Sequence, residues 1–360
     1  MDSAYLLTGF LHLNLRTINM TSLKKLKIAV VGATGNVGRA MLSILEERGI
    51  PFENVYAVAS ERSVGSQISY GEAGILTVEP LTTFDFQKVS IALFSPGGKV
   101  SAEFAPKAAA LGCVVIDNTS HFRNEPDIPL VVPEVNAHAI EGYAKRHIIA
   151  NPNCSLIQLV MALKPLHDIA CIKRVVVSTY QSVSGAGKEA MDELFNQTRS
   201  IYMNSPAQSH HLPRTIAFNV IPQIGAFQDD GSTDEEWKMK VELQKILSPH
   251  IQVSATCVRV PVFIGHCVSA SVEFESPISR QQAQKALKAA PGIIVTDLNE
   301  ESDYTTPIEC AGEDPVYVSR IRTDDSVPHG LNLWVVGDNV RKGAALNAIQ
   351  IAEILAKDYL

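Results

Sequence analysis

The sequence predicts an α/β protein: a Rossmann-like, doubly wound parallel-sheet domain followed by a mixed α+β domain. Three observations carry this. A strand-like run ends in a glycine turn that opens a helix; strand–helix alternation persists through Asp117; and after Cys154 the pattern changes to alternating polar and apolar residues.

The first unit starts at Leu26-Lys27-Ile28-Ala29-Val30-Val31, a strand running into Gly32-Ala33-Thr34-Gly35-Asn36-Val37-Gly38, and Ala40 to Leu45 has helical spacing. The G-x-x-G-x-x-G spacing is a variant of the dinucleotide fingerprint, whose glycines let backbone approach a pyrophosphate lying on the helix N-terminus. Gly32, Thr34, Gly35, Asn36 and Val37 are therefore candidate cofactor contacts, against the alternative of a tight surface turn with no ligand. A second strand, Asn54 to Ala59, ends in Ser60-Glu61-Arg62-Ser63. An acidic residue at this tip suits ribose hydroxyls, whereas Arg62 between Ser60 and Ser63 suits a 2′-phosphate, so NADP is favoured over NAD although Glu61 complicates the choice. Ile91 to Phe94, a helix over Ala102 to Ala110, and Val114 to Asp117 continue the alternation. Gly97-Gly98 and Asn118-Thr119-Ser120 then fall at carboxyl ends of strands, where such sheets bind ligands.

Beyond Cys154, Val175 to Tyr180, Ala255 to Val260 and Cys267 to Val272 alternate like half-buried antiparallel strands. The interval from Asp192 to Glu242 has little periodicity and reads as an elaborated lobe or an intersubunit arm. Ala344 to Leu355 has helical spacing and is expected to return to the first domain. The expected division is 1–24 as a mobile N-terminal extension, 25–152 with 340–360 as the cofactor domain, and 153–339 as the second domain.

Composition narrows the function classes. The chain has 360 residues, 46% hydrophobic and 19% charged, with a net charge of −7 and no Lys/Arg block. That argues against nucleic acid or an anionic membrane as the main partner and leaves a small-molecule substrate. The apolar patch near the N-terminus is too short to span a bilayer and lacks a preceding cationic segment, so a cytoplasmic location is expected. The six cysteines are scattered without C-x-x-C pairs, which points to reduced thiols and no metal site.

Cys154 is the exception among them. It follows the turn-forming Asn151-Pro152-Asn153 and precedes an apolar helical run. A helix N-terminus offers unpaired N–H groups and the positive end of the macrodipole, which favour the nucleophilic thiolate. The competing reading is a small buried residue between strand and helix.

Several further stretches resemble aspartate-β-semialdehyde dehydrogenase: Val31 to Gly38, Asp117-Asn118-Thr119-Ser120 with Phe122-Arg123, and Val132-Pro133-Glu134-Val135-Asn136. With these go Asn151 to Cys154, Thr179 to Gly187, Arg259-Val260-Pro261-Val262 with Gly265-His266, and Asp338 to Gly343. The resemblance runs from Lys27 to the C-terminus. It implies NADPH-dependent reductive dephosphorylation of L-4-aspartyl phosphate to L-aspartate 4-semialdehyde, reversible with inorganic phosphate as co-substrate, in lysine, threonine, methionine and diaminopimelate biosynthesis. It also implies that the second domain carries catalysis and dimerisation, with a homodimer or a tetramer as the assembly.

Under this resemblance Cys154 attacks the acyl phosphate or aldehyde carbonyl, and His266 is the acid/base, suited by an imidazole titrating near neutral pH. Gln181 orients substrate or cysteine. Arg259 holds the α-carboxylate in a two-pronged contact that lysine does not reproduce. Glu235 receives the ammonium, with Glu236 its less favoured neighbour, while Arg123 and Lys238 take the phosphate. Oxyanion stabilisation falls to backbone N–H groups around Cys154 or to the Asn153 side chain. Ser184, Gly185 and Asn339 join the cofactor contacts. Two alternatives remain open: N-acetyl-γ-glutamyl-phosphate reductase, which runs the same chemistry, and a non-catalytic NADP-binding sensor. Asn153 and Ser155 flank the cysteine where the former typically has glycine and an aromatic residue.

Overall fold

The structure, a computed structural model, describes residues 20–296 and 303–360, so most of the expected N-terminal extension lies outside the described residues. The chain divides into two compact units. Among the described residues the first comprises 20–129, 137–150 and 348–360, the second 130–136, 151–296 and 303–347.

In the first unit, β1 (Ile28–Val31) is apolar and buried at every position, as expected for a strand covered on both faces. It leads through the glycine turn into α1 (Asn36–Glu47), whose buried residues Met41, Leu42, Ile44 and Leu45 form one stripe. β2 (Val55–Ala59) follows, then a two-stranded antiparallel excursion of β3 (Gln67–Tyr70) and β4 (Gly74–Thr77), and the short β5 (Glu79–Pro80). β6 (Ile91–Phe94), α2 (Gly98–Ala110), β7 (Val114–Asp117) and β8 (Ile148–Ala150) complete a parallel sheet of order β5-β2-β1-β6-β7-β8. The order reverses direction at β1, which opens a crevice at the carboxyl ends of β1 and β6. Gly32 (φ +85°) starts the turn there, and a Cβ on it would lie 2.6 Å from the Ser95 carbonyl oxygen, so only glycine fits between the two strand ends.

The second unit is built around α3 (Cys154–Ala170), buried continuously from Ser155 through Leu163. A helix apolar on nearly all sides belongs inside a domain. It packs against β9 (Ile172–Gln181), β11 (His266–Phe274) and the helices α5 (Asp234–Ile246) and α6 (Arg280–Ala289). Between β9 and α5 lies α4 (Lys188–Tyr202), so the interval of weak periodicity is bracketed by two helices. With β10 (Gln252–Arg259), β12 (Ile293–Val295), β13 (Val316–Asp324) and β14 (Gly330–Gly337), the sheet order is β10-β9-β11-β14-β13-β12.

The sheet corrects one expectation: β10 pairs parallel to β9, and only the β9–β11, β11–β14 and β13–β14 pairs are antiparallel. Period-two alternation reports that one face is buried and carries no information on strand direction. Val175, Val177 and Thr179 point to the buried face, while Val176, Ser178 and Tyr180 alternate onto a face left partly open. A wide turn over Arg341–Ala345 then leads into α7 (Leu346–Asp358), most of which belongs to the first unit.

Candidate active site

The first unit collects one set of candidates at the tips of β1, β2 and β7. Thr34 and Ser63 bring their hydroxyls within 3.4 Å, joining the glycine turn to the tip of β2. Glu61 accepts a hydrogen bond from the Thr82 hydroxyl, while Arg62 beside it is exposed. Gly35 caps α1 without a side-chain hydrogen bond, so Gly35, Asn36 and Val37 present backbone at the helix start. Gly38 allows the turn to fold on itself, because a Cβ there would lie 2.2 Å from the Gly32 carbonyl oxygen. Ser60 is exposed next to Arg62.

Beyond β7, the buried Asp117 accepts from Ser101 Oγ at 2.8 Å, Thr119 Oγ1 at 2.8 Å and the Thr119 amide at 3.1 Å. Burial pushes its carboxyl above the usual range despite these bonds. The same loop holds Arg123, largely buried, whose guanidinium donates to the Asn118 carbonyl at 3.0 Å.

The second unit assembles the other set. Asn153 caps α3, its Oδ1 accepting from the amides of Ser155 at 3.0 Å and Leu156 at 3.2 Å, which makes Cys154 the first helical residue. Two carboxylates of α5 fix the turn from the side: Glu242 accepts from the Asn153 amide at 2.7 Å and Glu235 from Asn153 Nδ2 at 2.7 Å. Because Nδ2 is held by Glu235 and Oδ1 by the helix, the Asn153 side chain is a brace of the turn.

Gln181, at the end of β9, donates to Glu235 Oε1 at 2.9 Å and to the Ser155 hydroxyl, while its buried Oε1 has no hydrogen-bond partner among the described residues. Glu235 also lies 3.5 Å from Lys238 Nζ. Glu235 departs from the exposed setting usual for a charged residue at a helix start. The helix does begin there, with a capping box between Thr233 and Glu236, yet Glu235 is buried and aimed at Gln181 and Asn153.

His266 opens β11 and is fully buried. The Ser182 amide donates to its Nδ1 at 3.1 Å, which places the proton of the neutral ring on Nε2. Nε2 has no hydrogen-bond partner among the described residues and faces Gly185, where a Cβ would lie 3.1 Å away. Burial, reinforced by the Arg259 cation, pushes the imidazole down to about 3, so it does not titrate near neutral pH as its type suggests. Arg259 ends β10, donates to the Ser182 carbonyl at 2.8 Å, and feels Glu235 and Cys154 as counter-charges to a burial penalty that lowers its own pKa.

Ser184 and Gly185 lie in the turn opposite. Asn339 Oδ1 accepts from Ser182 Oγ at 3.1 Å, Ser184 Oγ at 3.2 Å and the Gly265 amide at 2.9 Å. Asn339 is thus tied into the frame of the turn.

The sequence pattern does not single out Gln158 or Glu242. Gln158, one helical turn after Cys154, donates to the His266 carbonyl at 3.0 Å, so one helix holds both the cysteine and the histidine strand. A lone amide within the apolar run 156–163 was the available signal.

Burial separates the cysteines. Cys113, Cys257, Cys267 and Cys310 are buried with their thiols pushed up to about 12, which leaves Cys154 and the exposed Cys171. Among the described residues no group of three or more His, Cys, Asp or Glu side chains could hold a metal ion, and no helix is long and apolar enough to cross a membrane.

A doubly wound nucleotide-type sheet joined in one chain to a second unit with a mixed sheet defines the class of nucleotide-dependent oxidoreductases. Residues 27–143 match the NAD-binding domain of semialdehyde dehydrogenases and 163–342 their dimerisation domain. The aspartate-semialdehyde dehydrogenase of Rickettsia bellii is 50% identical over 337 residues, 94% of this chain and 99% of that protein. That of Aquifex aeolicus is 51% identical over 93% of this chain and 99% of its own. The crystal structure of aspartate semialdehyde dehydrogenase II of Vibrio cholerae complexed with ASA superposes with a TM-score of 0.90 at 50% identity, covering 93% of this chain and 99% of that one. The Candida albicans aspartate semialdehyde dehydrogenase with NADP gives 0.70 at 25% identity, covering 93% and 99%. The chain belongs to the aspartate-semialdehyde dehydrogenase family. It is an oxidoreductase acting on an aldehyde, it has a pyridine-nucleotide-binding domain, and its second domain is one that self-associates.

Proposed function

We propose that the protein interconverts L-4-aspartyl phosphate and L-aspartate 4-semialdehyde with NADP, through a thioester on Cys154, in the biosynthesis of lysine, threonine, methionine and diaminopimelate. The observation that carries the reading is the convergence of Gln181, Glu235 and Asn153 beside Cys154, with two buried polar atoms, Gln181 Oε1 and His266 Nε2, left for a ligand.

In the oxidative direction the Cys154 thiolate attacks the aldehyde carbon. His266 Nε2–H donates a hydrogen bond to the alkoxide oxygen that forms, and that oxygen re-forms the carbonyl as hydride leaves, so the proton stays on the ring. When bound, the nicotinamide cofactor supplies hydride transfer. Phosphate then attacks the thioester carbonyl and the thiolate leaves, regenerating Cys154.

Arg259 holds the α-carboxylate, Glu235 the ammonium, and Arg123 with Lys238 the phosphate. Glu235 also favours the aspartyl substrate over N-acetyl-γ-glutamyl phosphate, which has no ammonium to pair. Gly32, Thr34, Gly35, Asn36 and Val37 hold the pyrophosphate, with Ser184 and Gly185 nearer the nicotinamide. Arg62 with Ser60 and Ser63 takes the 2′-phosphate. The engagement of Glu61 by Thr82 supports NADP, because that carboxylate is then occupied away from a ribose. The chain acts as a homodimer, supported by the open sheet face on which the tilted rings of Tyr180 and Trp334 lie 5.5 Å apart.

Phosphate-dependent reduction of NADP+ by aspartate semialdehyde, run beside N-acetylglutamate semialdehyde and the Cys154→Ala variant, tests the reading. Turnover of the first substrate alone, lost in the variant, is expected. Turnover of the acetylated substrate would transfer the assignment, and silence on both would leave a nucleotide-binding protein without this catalysis.

A further inference from the structure

Lys342 is a cation with only 2% of its side chain exposed. Burying an ammonium is costly unless every N–H is matched. Here all three are: Nζ lies 2.7 Å and 2.8 Å from the two carboxylate oxygens of Glu134 and 2.9 Å from Asn347 Oδ1. Asn347 passes the connection on, its Nδ2 donating to Asn151 Oδ1 at 2.7 Å and to the Val131 carbonyl at 3.0 Å. Asn151 Nδ2 closes the circuit on the Ala344 carbonyl at 3.3 Å. The network therefore ends on the first residue of the turn Asn151-Pro152-Asn153 that delivers Cys154.

A second path runs through backbone. Lys342 lies in the wide turn Arg341–Ala345, where the Gly343 amide donates to the Asp338 carbonyl at 3.0 Å and the Ala345 amide to the Val340 carbonyl at 2.9 Å, both spanning five residues. Such π-type turns are rare and frequently sit at functional sites. Gly343 uses the geometry to lie directly on the cysteine, where a Cβ would fall 3.1 Å from Cys154 Cβ and 3.2 Å from its carbonyl oxygen. One turn thus reaches Cys154 by contact through its glycine and by hydrogen bonds through its lysine.

We propose that Lys342, Glu134 and Asn347 form a positioning unit that fixes Cys154 against the Arg341–Ala345 turn. The pair is neutral as a whole, so its action on the thiolate is geometric. The role deepens the covalent reading above and rests on it.

The decisive variant is Asn347→Ala, which leaves the ion pair in place and cuts its link to Asn151. Expected are a kcat loss of about 10- to 100-fold, the scale of a misplaced reacting group, with KM for NADP unchanged within about twofold. Cys154 alkylation by iodoacetamide, followed on its peptide by mass spectrometry, should slow by about tenfold or more. Lys342→Met with Glu134→Gln removes the pair without stranding a charge and should show the same loss. All three changes together should lose no more than either alone, as groups on one path are non-additive. Wild-type kcat and alkylation in folded Asn347→Ala, or losses that multiply in the triple variant, would overturn the proposal. The alkylation arm needs no substrate, so it judges the positioning unit even if the wild type fails to turn over aspartate semialdehyde.

Discussion

The helix Cys154–Ala170 has a cysteine at its first residue and another, Cys171, as its C-terminal cap, and the two could hardly be placed more differently. Cys171 is the more exposed, with a positive φ of 46°, yet it sits where the helix presents carbonyls and the negative end of its dipole. Cys154 is only partly exposed but stands on the N–H end, with the Asn153 cap, Glu235 and Gln181 around it and Arg259 within electrostatic reach. Exposure alone would select Cys171, whereas the proposed nucleophile is Cys154. What distinguishes a nucleophile is the end of the helix it occupies and the groups that converge there.

The largest effect should separate these two residues. Cys154→Ala is expected to remove turnover by roughly 10⁴-fold or more while NADPH binding, read by fluorescence titration, is retained; Cys171→Ala should match wild type. Comparable losses in both variants would break the contrast. Iodoacetamide should also label Cys154 before Cys171 near neutral pH.

Next comes His266. Its replacement by Ala should cost about 10²- to 10³-fold in kcat, the range for losing one donor to a developing oxyanion. The same residue predicts a pH effect. With its pKa held at about 3 in the folded protein against 6.5 ordinarily, the unfolded chain takes up the proton first as pH falls. Stability contributed by the neutral ring is therefore complete above about 6.5 and declines steadily towards about 3. His266→Asn should flatten that decline in Tm measured between pH 7 and 4; an unchanged slope would show that other groups govern acid sensitivity.

Arg259→Lys should lower kcat/KM by about 1.5–3 kcal/mol, since a point charge replaces a planar fork already tied to the Ser182 carbonyl. An unaltered value would detach Arg259 from the substrate. The smallest effect sits in the other unit. Arg62→Ala should weaken NADP by roughly tenfold and NAD hardly at all, and equal weakening of both would make Arg62 structural.

Local patterns were legible where one segment supplied the whole signal. The glycine turn, the Asn-Pro-Asn cap and the apolar helix after Cys154 need only neighbours in sequence, because glycine conformation and capping act within a few residues. The direction of β10 was not legible, since alternation is identical in parallel and antiparallel strands. Nor was the burial of Glu235, which follows from Gln181 and Asn153 arriving from β9 and α3.

The sequence by itself determined the fold class and the family, because these rest on short-range geometry and on motif order. Only the tertiary structure decided the protonation of His266, the burial of four of the six thiols and the partners of Lys342. Those properties depend on burial and on charges brought together from distant parts of the chain, and desolvation has no signature in a linear pattern.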